Sequence, residues 1–162
     1  MRFPKTVPEH LEKMLDWGDA HVSFDDAVAG LPAAARGKVP KGLPYSAWQL
    51  VEHIRLAQAD ILEFCVSPRY AEKRWPDDYW PDSPAPPSAR AWNTSLAHMR
   101  RDRRALQHLT AHRRLTRRVP AGEGQTLLRE LILAADHTAY HVGELIVVRR
   151  LLGIWPPAAG SA

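Results

Sequence analysis

The sequence predicts an all-α protein, a four-helix bundle with long loops. Apolar residues recur at the 3.6-residue period of an amphipathic helix in four segments, and Ser, Thr, Pro and Gly mark the ends of those segments. We find no alternating strand pattern of useful length and no internal repeat. With 162 residues, of which 45% are hydrophobic and 25% charged, the chain is expected to form one domain over 1–162.

The first predicted helix runs from about Pro8 to Leu31. Thr6 and Glu9 fit a capping box at its start, and Pro32 ends it. A loop rich in Pro and Gly follows over 32–45. The inward face of this helix is expected to carry Leu11, Met14, Leu15, Val22 and Val28, with Gly18 and His21 on the same side.

The second predicted helix runs from Ser46 to Phe64. Ser46 and Gln49 fit a capping box, no Gly or Pro interrupts the run, and the buried stripe comprises Leu50, Ala57, Ile61 and Phe64. The composition of the next segment, 66–88, is that of a loop, yet it contains Tyr70, Trp75, Tyr79 and Trp80. Because exposed aromatic rings are unfavourable, this loop is expected to pack over the bundle.

The third and fourth predicted helices span about Ala89 to Leu109 and Thr126 to Leu152. The third is expected to bury Trp92, Leu96, Met99 and Leu106. Gly153 is a natural C-terminal cap for the fourth helix, and Pro156 prevents its continuation. Four long helices with substantial connections complete the predicted bundle.

The net charge of +4 raises the question of nucleic-acid binding, because eight arginines fall between Arg100 and Arg118. No helix-turn-helix, zinc-finger or RNP pattern accompanies them, so a solvated helix face is the preferred interpretation. The single Cys65 cannot form an internal disulfide. The N-terminus lacks a secretory signal, and no stretch approaches the ~20 apolar residues of a membrane span. A cytoplasmic protein is expected.

Three histidines are the main functional candidates. His137 and His141 are four residues apart, so they lie one turn apart on one side of the fourth helix. That side also carries the apolar positions Leu131, Ala134, Thr138, Leu145 and Val148, which predicts that the pair points inward. Two buried imidazoles need partners, because an uncompensated polar group in an apolar core costs about 1–3 kcal/mol.

His53 lies on the buried stripe of the second helix. Taken alone, it fits a hydrogen-bonded core histidine better than a ligand, but three inward histidines on two helices favour a shared metal ion. The pair in the fourth helix is not the His-Glu-x-x-His of a metalloprotease, because position 138 is Thr.

The sequence resembles the DinB-like, YfiT-type superfamily of metal-dependent hydrolases over nearly its whole length. The similar segments are 46–55, 75–81, 125–130, 136–144 and 149–155. In that family, one histidine of the second helix and an H-x-x-x-H pair of the last helix bind a divalent metal, usually Zn or Ni. The resemblance therefore implies that His53, His137 and His141 are the ligands. It also implies a homodimer, for which Trp75, Trp80 and Trp155 are surface candidates.

Other residues are weaker candidates for the surroundings of the metal. His21 is a possible fourth ligand or proton carrier, although a buried structural histidine is the simpler interpretation. Glu144 and Asp60 lie two turns after His137 and His53, and each is a candidate to orient an imidazole N–H or to line the rim. Tyr140 and Trp48 edge the pocket or simply pack. Expected surface histidines are His10, His98, His108 and His112, and Cys65 is expected to be buried and inert.

Three neutral ligands leave a coordination position open, which is the arrangement of a catalytic rather than a structural metal. The preferred hypothesis is a metal-dependent hydrolase, or a transferase that uses a low-molecular-weight thiol such as bacillithiol or mycothiol. The small-molecule substrate cannot be named from the sequence. The alternatives are a non-catalytic, metal-stabilised stress-response protein and nucleic-acid binding through the arginine cluster.

Overall fold

The computed structural model describes residues 4–111 and 114–156, and within them the protein is all-α, as predicted. Two short 3-10 turns, Ala33–Ala35 and Asp77–Tyr79, lie in the loops, and the described residues contain no strand beyond one isolated β-bridge. The five helices are α1 (Val7–Met14), α2 (Phe24–Val28), α3 (Ala47–Val66), α4 (Ala89–Thr110) and α5 (Leu127–Leu151).

The predicted first helix, from Pro8 to Leu31, is wrong in extent. Two short helices, α1 and α2, occupy this part of the chain, and a non-helical segment separates them. Gly18 lies in that segment, where its low helix propensity favours a break. The side chain of Ser23 then accepts a hydrogen bond from the backbone N–H of Asp26 at 3.1 Å and begins α2.

The three long helices begin where side-chain caps predict. Ser46 and Gln49 form the reciprocal capping box of α3, and Thr126 caps α5 by accepting from the backbone N–H of Arg129. Ser88 caps α4 in the same way. The observed limits of α3, α4 and α5 therefore differ from the predicted ones by at most two residues.

Helix α3 is central and packs against both α4 and α5, while α1 contacts α4 and α5, and α2 contacts α5. Two apolar clusters fill the interior. The first cluster joins α2 to the N-terminal half of α3, to α4 and to the C-terminal half of α5, and includes Phe24, Leu50, Ile54, Met99, Val142 and Leu145. The second joins α1 to the C-terminal half of α3 and the N-terminal half of α5, and includes Leu11, Ile61, Cys65, Leu106, Leu127 and Leu131.

The arginine cluster is only partly a solvated face. Arg103 is 7% exposed and forms ion pairs with Asp16 at 2.6 Å and Asp25 at 2.7 Å. Arg100 also bonds Asp25, at 2.6 Å. Arg100 and Arg103 therefore link α4 to the segment around α2 through ion pairs. Arg104, Arg114 and Arg118 are exposed, as expected.

A buried cation, Arg149, holds the N-terminal region against the end of α5. Its guanidinium donates to the backbone carbonyls of Ala27 and Ala29 at 2.6 and 2.8 Å and to that of Ile154 at 3.3 Å. Burial lowers the pKa of Arg149 from its ordinary value. Backbone carbonyls at the end of α2 and after α5 thus solvate this buried charge.

By length and composition, α5 could cross a membrane, contrary to our expectation from the sequence. Its most apolar window has a mean hydropathy of 1.3, and 39% of that window is buried. Core helices of soluble proteins meet the same criteria, and α5 packs against α1, α2 and α3. A single helix of this kind is weak evidence for a membrane span.

Candidate metal centre

The three predicted histidines converge where α3 and α5 pack together. The Nε2 atom of His53 lies 3.1 Å from Nε2 of His141 and 3.1 Å from Nε2 of His137. One ligand nitrogen from each residue lies within 4.8 Å of the others. His53 and His141 are buried, and His137 is partly buried. The structure thus brings together the residues that the spacing and the resemblance singled out.

Hydrogen bonds on the far side of two rings determine which nitrogen is free. Nδ1 of His53 lies 2.9 Å from the backbone carbonyl of Tyr79, an acceptor, so Nδ1 carries the proton. Nδ1 of His141 lies 2.7 Å from a carboxylate oxygen of Glu144, which is likewise an acceptor. In the neutral rings Nε2 is therefore left with a lone pair, the arrangement that outer hydrogen bonds impose on metal-binding histidines.

This geometry fits a divalent metal. Two lone pairs that face each other across 3.1 Å have no proton between them and repel, unless a cation lies between them. A tetrahedral site with Zn–N bonds of about 2.05 Å places its ligand nitrogens about 3.3 Å apart. The two separations of 3.1 Å from His53 are near this value, and all three nitrogens lie within 4.8 Å of one another, so this donor set fits such an ion.

Burial keeps two of the rings uncharged at neutral pH. Burial, together with the neighbouring imidazoles of His141 and His53, lowers the pKa of His137 to about 4. Burial also lowers the pKa of His53 below its usual 6.5 and outweighs the opposing effect of the Tyr79 carbonyl. Neutral imidazole is the form that binds a metal.

A hydrogen-bonded clamp centred on Asp60 fixes the loop that carries Tyr79. The carboxylate of Asp60 accepts from the Tyr79 hydroxyl at 2.7 Å, from the Tyr70 hydroxyl at 3.2 Å and from the Lys73 ammonium at 2.7 Å. Tyr79 then presents its backbone carbonyl to His53. Asp60 therefore acts on His53 through Tyr79, rather than by the direct contact that the sequence suggested.

Aromatic side chains cover the outer side of His53. The Trp80 ring stacks on the His53 ring at 3.9 Å with only 6° between their planes, and Tyr45 stacks on Trp80 at 6.2 Å. The expectation that the aromatic loop packs over the bundle is correct here. Burial and the Glu144 carboxylate raise the pKa of Tyr45 to about 12, so its hydroxyl stays protonated.

The histidines form part of the wall of an open pocket of about 470 Å³. A volume of this size suits a small molecule. The remaining wall consists of Tyr45, Trp75, Trp80, Leu133, Asp136, Tyr140 and Glu144.

The weaker candidates separate into two groups. Glu144 and Tyr140 border the pocket, and Glu144 bonds His141 rather than His137. His21 is exposed in the segment between α1 and α2, and Trp48 is buried against Trp92. Neither His21 nor Trp48 lines this pocket.

The structure also places the remaining histidines and the cysteine. His10 and His108 are exposed, His98 is partly exposed, and His112 lies outside the described residues. Cys65 is fully buried, and burial together with the Glu130 carboxylate raises its pKa to about 12, as expected for an inert thiol.

Sequence reasoning missed the backbone carbonyl of Tyr79 and the pocket residues Tyr45, Leu133 and Asp136. The carbonyl reaches His53 across 26 positions of the chain, and no periodicity reports such a contact. The aromatic residues in 66–88 indicated that this loop packs over the bundle. They did not indicate which backbone carbonyl of the loop contacts His53.

Residues 19–145 of the chain match the sequence profile of the DinB superfamily, which is more than half of the chain. The chain belongs to the DinB superfamily. The family inferred from the sequence is thus confirmed, and the match includes all three histidines, Asp60 and the pocket. No curated protein and no solved structure matches the chain. Membership in the DinB superfamily and three convergent histidines together indicate a site that could bind a metal, whose identity they leave open.

Proposed function

We propose that this DinB superfamily protein is a metal-dependent enzyme that binds one Zn²⁺ or Ni²⁺ through His53, His137 and His141. The observation that carries the proposal is the convergence of three imidazole Nε2 atoms, two of them with their tautomers set by outer hydrogen bonds, on the wall of an open pocket. The substrate is a small molecule that enters this pocket.

A divalent metal on three neutral imidazoles keeps a coordination position free and supplies Lewis acidity, to water in a hydrolase or to a thiol in a transferase. The protein's own contribution is positional. Tyr79 and Glu144 hold the imidazoles of His53 and His141 in the ligating tautomer. Trp80 packs on His53 and shields that ring from water.

Between these two reactions, the pocket favours a thiol S-transferase. Its two carboxylates are Asp136, which is exposed, and Glu144, which the His141 imidazole engages at 2.7 Å. Neither is a buried, unengaged carboxylate of the kind that serves as a general base. At this site a metal would acidify a thiol that coordinates it, and the thiol proton would pass to water, so such a base is not needed. Hydrolysis is the second candidate, with Asp136, which lines the pocket, as its candidate base.

Metal stoichiometry tests the site. We expect one equivalent of metal per chain, and loss of stoichiometric binding in His137→Ala, His141→Ala and their double variant, measured by elemental analysis. His108→Ala, on the exposed side of α4, is the matched control and should retain its metal. Full metal retention in the double variant would contradict the assignment.

Cobalt substitution tests for a thiol at the open position. A thiol added to the cobalt-loaded protein should produce a charge-transfer band, and the band should be absent in His53→Ala. Turnover of thiol and electrophile should require the metal. A normal cobalt spectrum with no response to saturating thiol and no metal-dependent turnover would favour the non-catalytic, metal-stabilised alternative.

We further propose that the protein is a cytoplasmic homodimer formed from one domain. Of the tryptophans considered for the interface, Trp75 is exposed but lines the pocket, Trp80 packs on His53 and Trp155 contacts Arg149. Exposed apolar residues on one side of α5, Ile132, Val147 and Leu151, add a surface for a second copy. A monomeric mass by light scattering at high micromolar concentration would contradict a dimer.

A further inference from the structure

Two large aromatic side chains stand exposed beside the metal ligands. Trp75 is 69% exposed, although its ring lies 6.2 Å from the His53 ring. Tyr140 is 65% exposed and its ring lies 4.9 Å from the His141 ring. Both border the pocket, one from the loop before Asp77–Tyr79 and one from α5. Exposed aromatic surface is unfavourable in water, and at the edge of a concave site it marks a ligand surface.

The other two aromatic residues of the pocket are already occupied. Trp80 stacks on His53 at 3.9 Å, and Tyr45 stacks on Trp80. These ring contacts alone account for the positions of Trp80 and Tyr45, so neither position needs a ligand to explain it. Trp75 and Tyr140 have the ring contacts described above but keep most of their surface free, which leaves them available to a bound molecule.

The charge of the pocket limits what that molecule can be. The charged side chains that line it are Asp136 and Glu144, and none of its described lining residues is Lys or Arg. An anionic group remote from the metal would therefore meet two carboxylates and no cationic side chain. Repulsion of like charges at close range disfavours such a group.

We infer that the substrate of this site joins a metal-binding head to a flat, apolar body without an anionic group, and that Trp75 and Tyr140 bind the body. This inference rests on the proposed metal centre and adds the chemical class of the substrate. Two rings from separate elements can each stack on a planar group. A saturated or strongly hydrated body would leave the apolar faces of both rings uncovered.

Three hydroxamates with the same metal-binding head test the inference. Acetohydroxamate has a methyl body, benzohydroxamate a flat apolar body, and 4-carboxybenzohydroxamate the same ring with an added carboxylate. We expect benzohydroxamate to bind the zinc-loaded protein about ten- to hundredfold more tightly than acetohydroxamate, measured by calorimetry, since each of the two stacking contacts contributes about three- to tenfold. The added carboxylate should remove most of that gain.

Variants assign the gain to the two rings. Trp75→Ala and Tyr140→Ala should each weaken benzohydroxamate about three- to tenfold and leave acetohydroxamate unchanged. Val66→Ala, an exposed apolar position at the end of α3 that does not line the pocket, is the control and should bind all three compounds normally. Both aromatic residues are exposed, so the variants should fold, and their metal content verifies the site.

The outcomes separate the two proposals. A protein that takes up no metal contradicts the proposed metal centre. A protein that binds one metal but binds the three hydroxamates within twofold of one another overturns the inference about the substrate alone. Equal losses for acetohydroxamate and benzohydroxamate in Trp75→Ala and Tyr140→Ala would also overturn it, because the rings would then act on the metal rather than on the body.

Discussion

Removing the carboxylate of Asp60 should weaken metal binding, although Asp60 touches none of the ligands. Asp60 accepts three hydrogen bonds, from Tyr79, Tyr70 and Lys73, and these hold the loop whose Tyr79 carbonyl accepts from His53. In Asp60→Ala, three donors lose their acceptor and the loop no longer has a single favoured position. The apparent affinity for metal falls with the fraction of molecules in the competent conformation.

The size of the effect follows from the contacts. Loss of outer partners of metal-binding histidines typically lowers metal affinity by about 10–100-fold, and Asp60→Ala should fall in this range. Tyr79→Phe removes one bond of 2.7 Å and keeps the backbone carbonyl that binds His53. A single hydrogen bond contributes about 1 kcal/mol, so Tyr79→Phe should cost about fivefold in metal affinity.

Competition with a fluorescent zinc chelator at pH 7 measures both affinities. Asp77→Asn is the matched control, because Asp77 is an exposed carboxylate in the same loop. The ¹⁵N chemical shifts of His53 in the metal-free protein provide a second readout. They should show Nδ1 protonated in the parent protein and a mixture of tautomers in Asp60→Ala. Affinity and tautomer both unchanged in Asp60→Ala would refute the reasoning.

Three further predictions test other contacts. Glu144→Gln removes the charge that faces His141 Nδ1, so metal affinity should fall about tenfold in chelator competition with the stability of the fold unchanged. Burial raises the pKa of Asp25, but the hydrogen bonds and charges of Arg103 and Arg100 outweigh burial and lower this pKa below 3.8. The ion pairing therefore stabilises the fold above pH 3.8, and this stabilisation is lost as the pH falls and Asp25 is protonated. In urea titrations, Asp25→Asn should therefore be less stable than the parent at pH 7, by a margin that disappears towards pH 3. Arg149→Met leaves three backbone carbonyls without their donor, so the free energy of unfolding in urea titrations should fall by about 2–4 kcal/mol. A loss below about 1 kcal/mol would contradict the buried cation described above.

The extents of the long helices could be predicted because their signals are local. The capping box of Ser46 and Gln49 depends on residues three positions apart, and the structure contains both of its bonds. The single first helix was wrong because apolar spacing continues across Gly18, and the pattern alone does not show that the chain leaves the helix there.

The convergence of the three candidate ligands could be predicted because their spacing matches helix geometry, but their outer partners could be predicted only in part. Seven residues along a helix span about 10.5 Å, so Asp60 is too far along α3 to bond His53 directly. Glu144 is likewise seven residues from His137 but only three from His141, which is the spacing of neighbours on a helix. The carbonyl of Tyr79 arrives from a loop, and only the folded structure shows it.

Under the proposed function, the position of the histidines relative to the core favours a catalytic rather than a structural role for a bound metal. The pair on α5 falls between Ala135 of the second cluster and Val142 of the first, and His53 on α3 lies between Val51 and Ile54 of the first cluster. Each cluster joins α3 to α5 without any contribution from a metal. A structural zinc stabilises folds whose apolar core is too small to do so alone. In this protein, burial of the two apolar clusters provides that folding free energy. The fold therefore holds the three imidazoles together against the repulsion of their lone pairs, and under the proposed function an ion bound there would relieve this repulsion and leave a position free for a substrate.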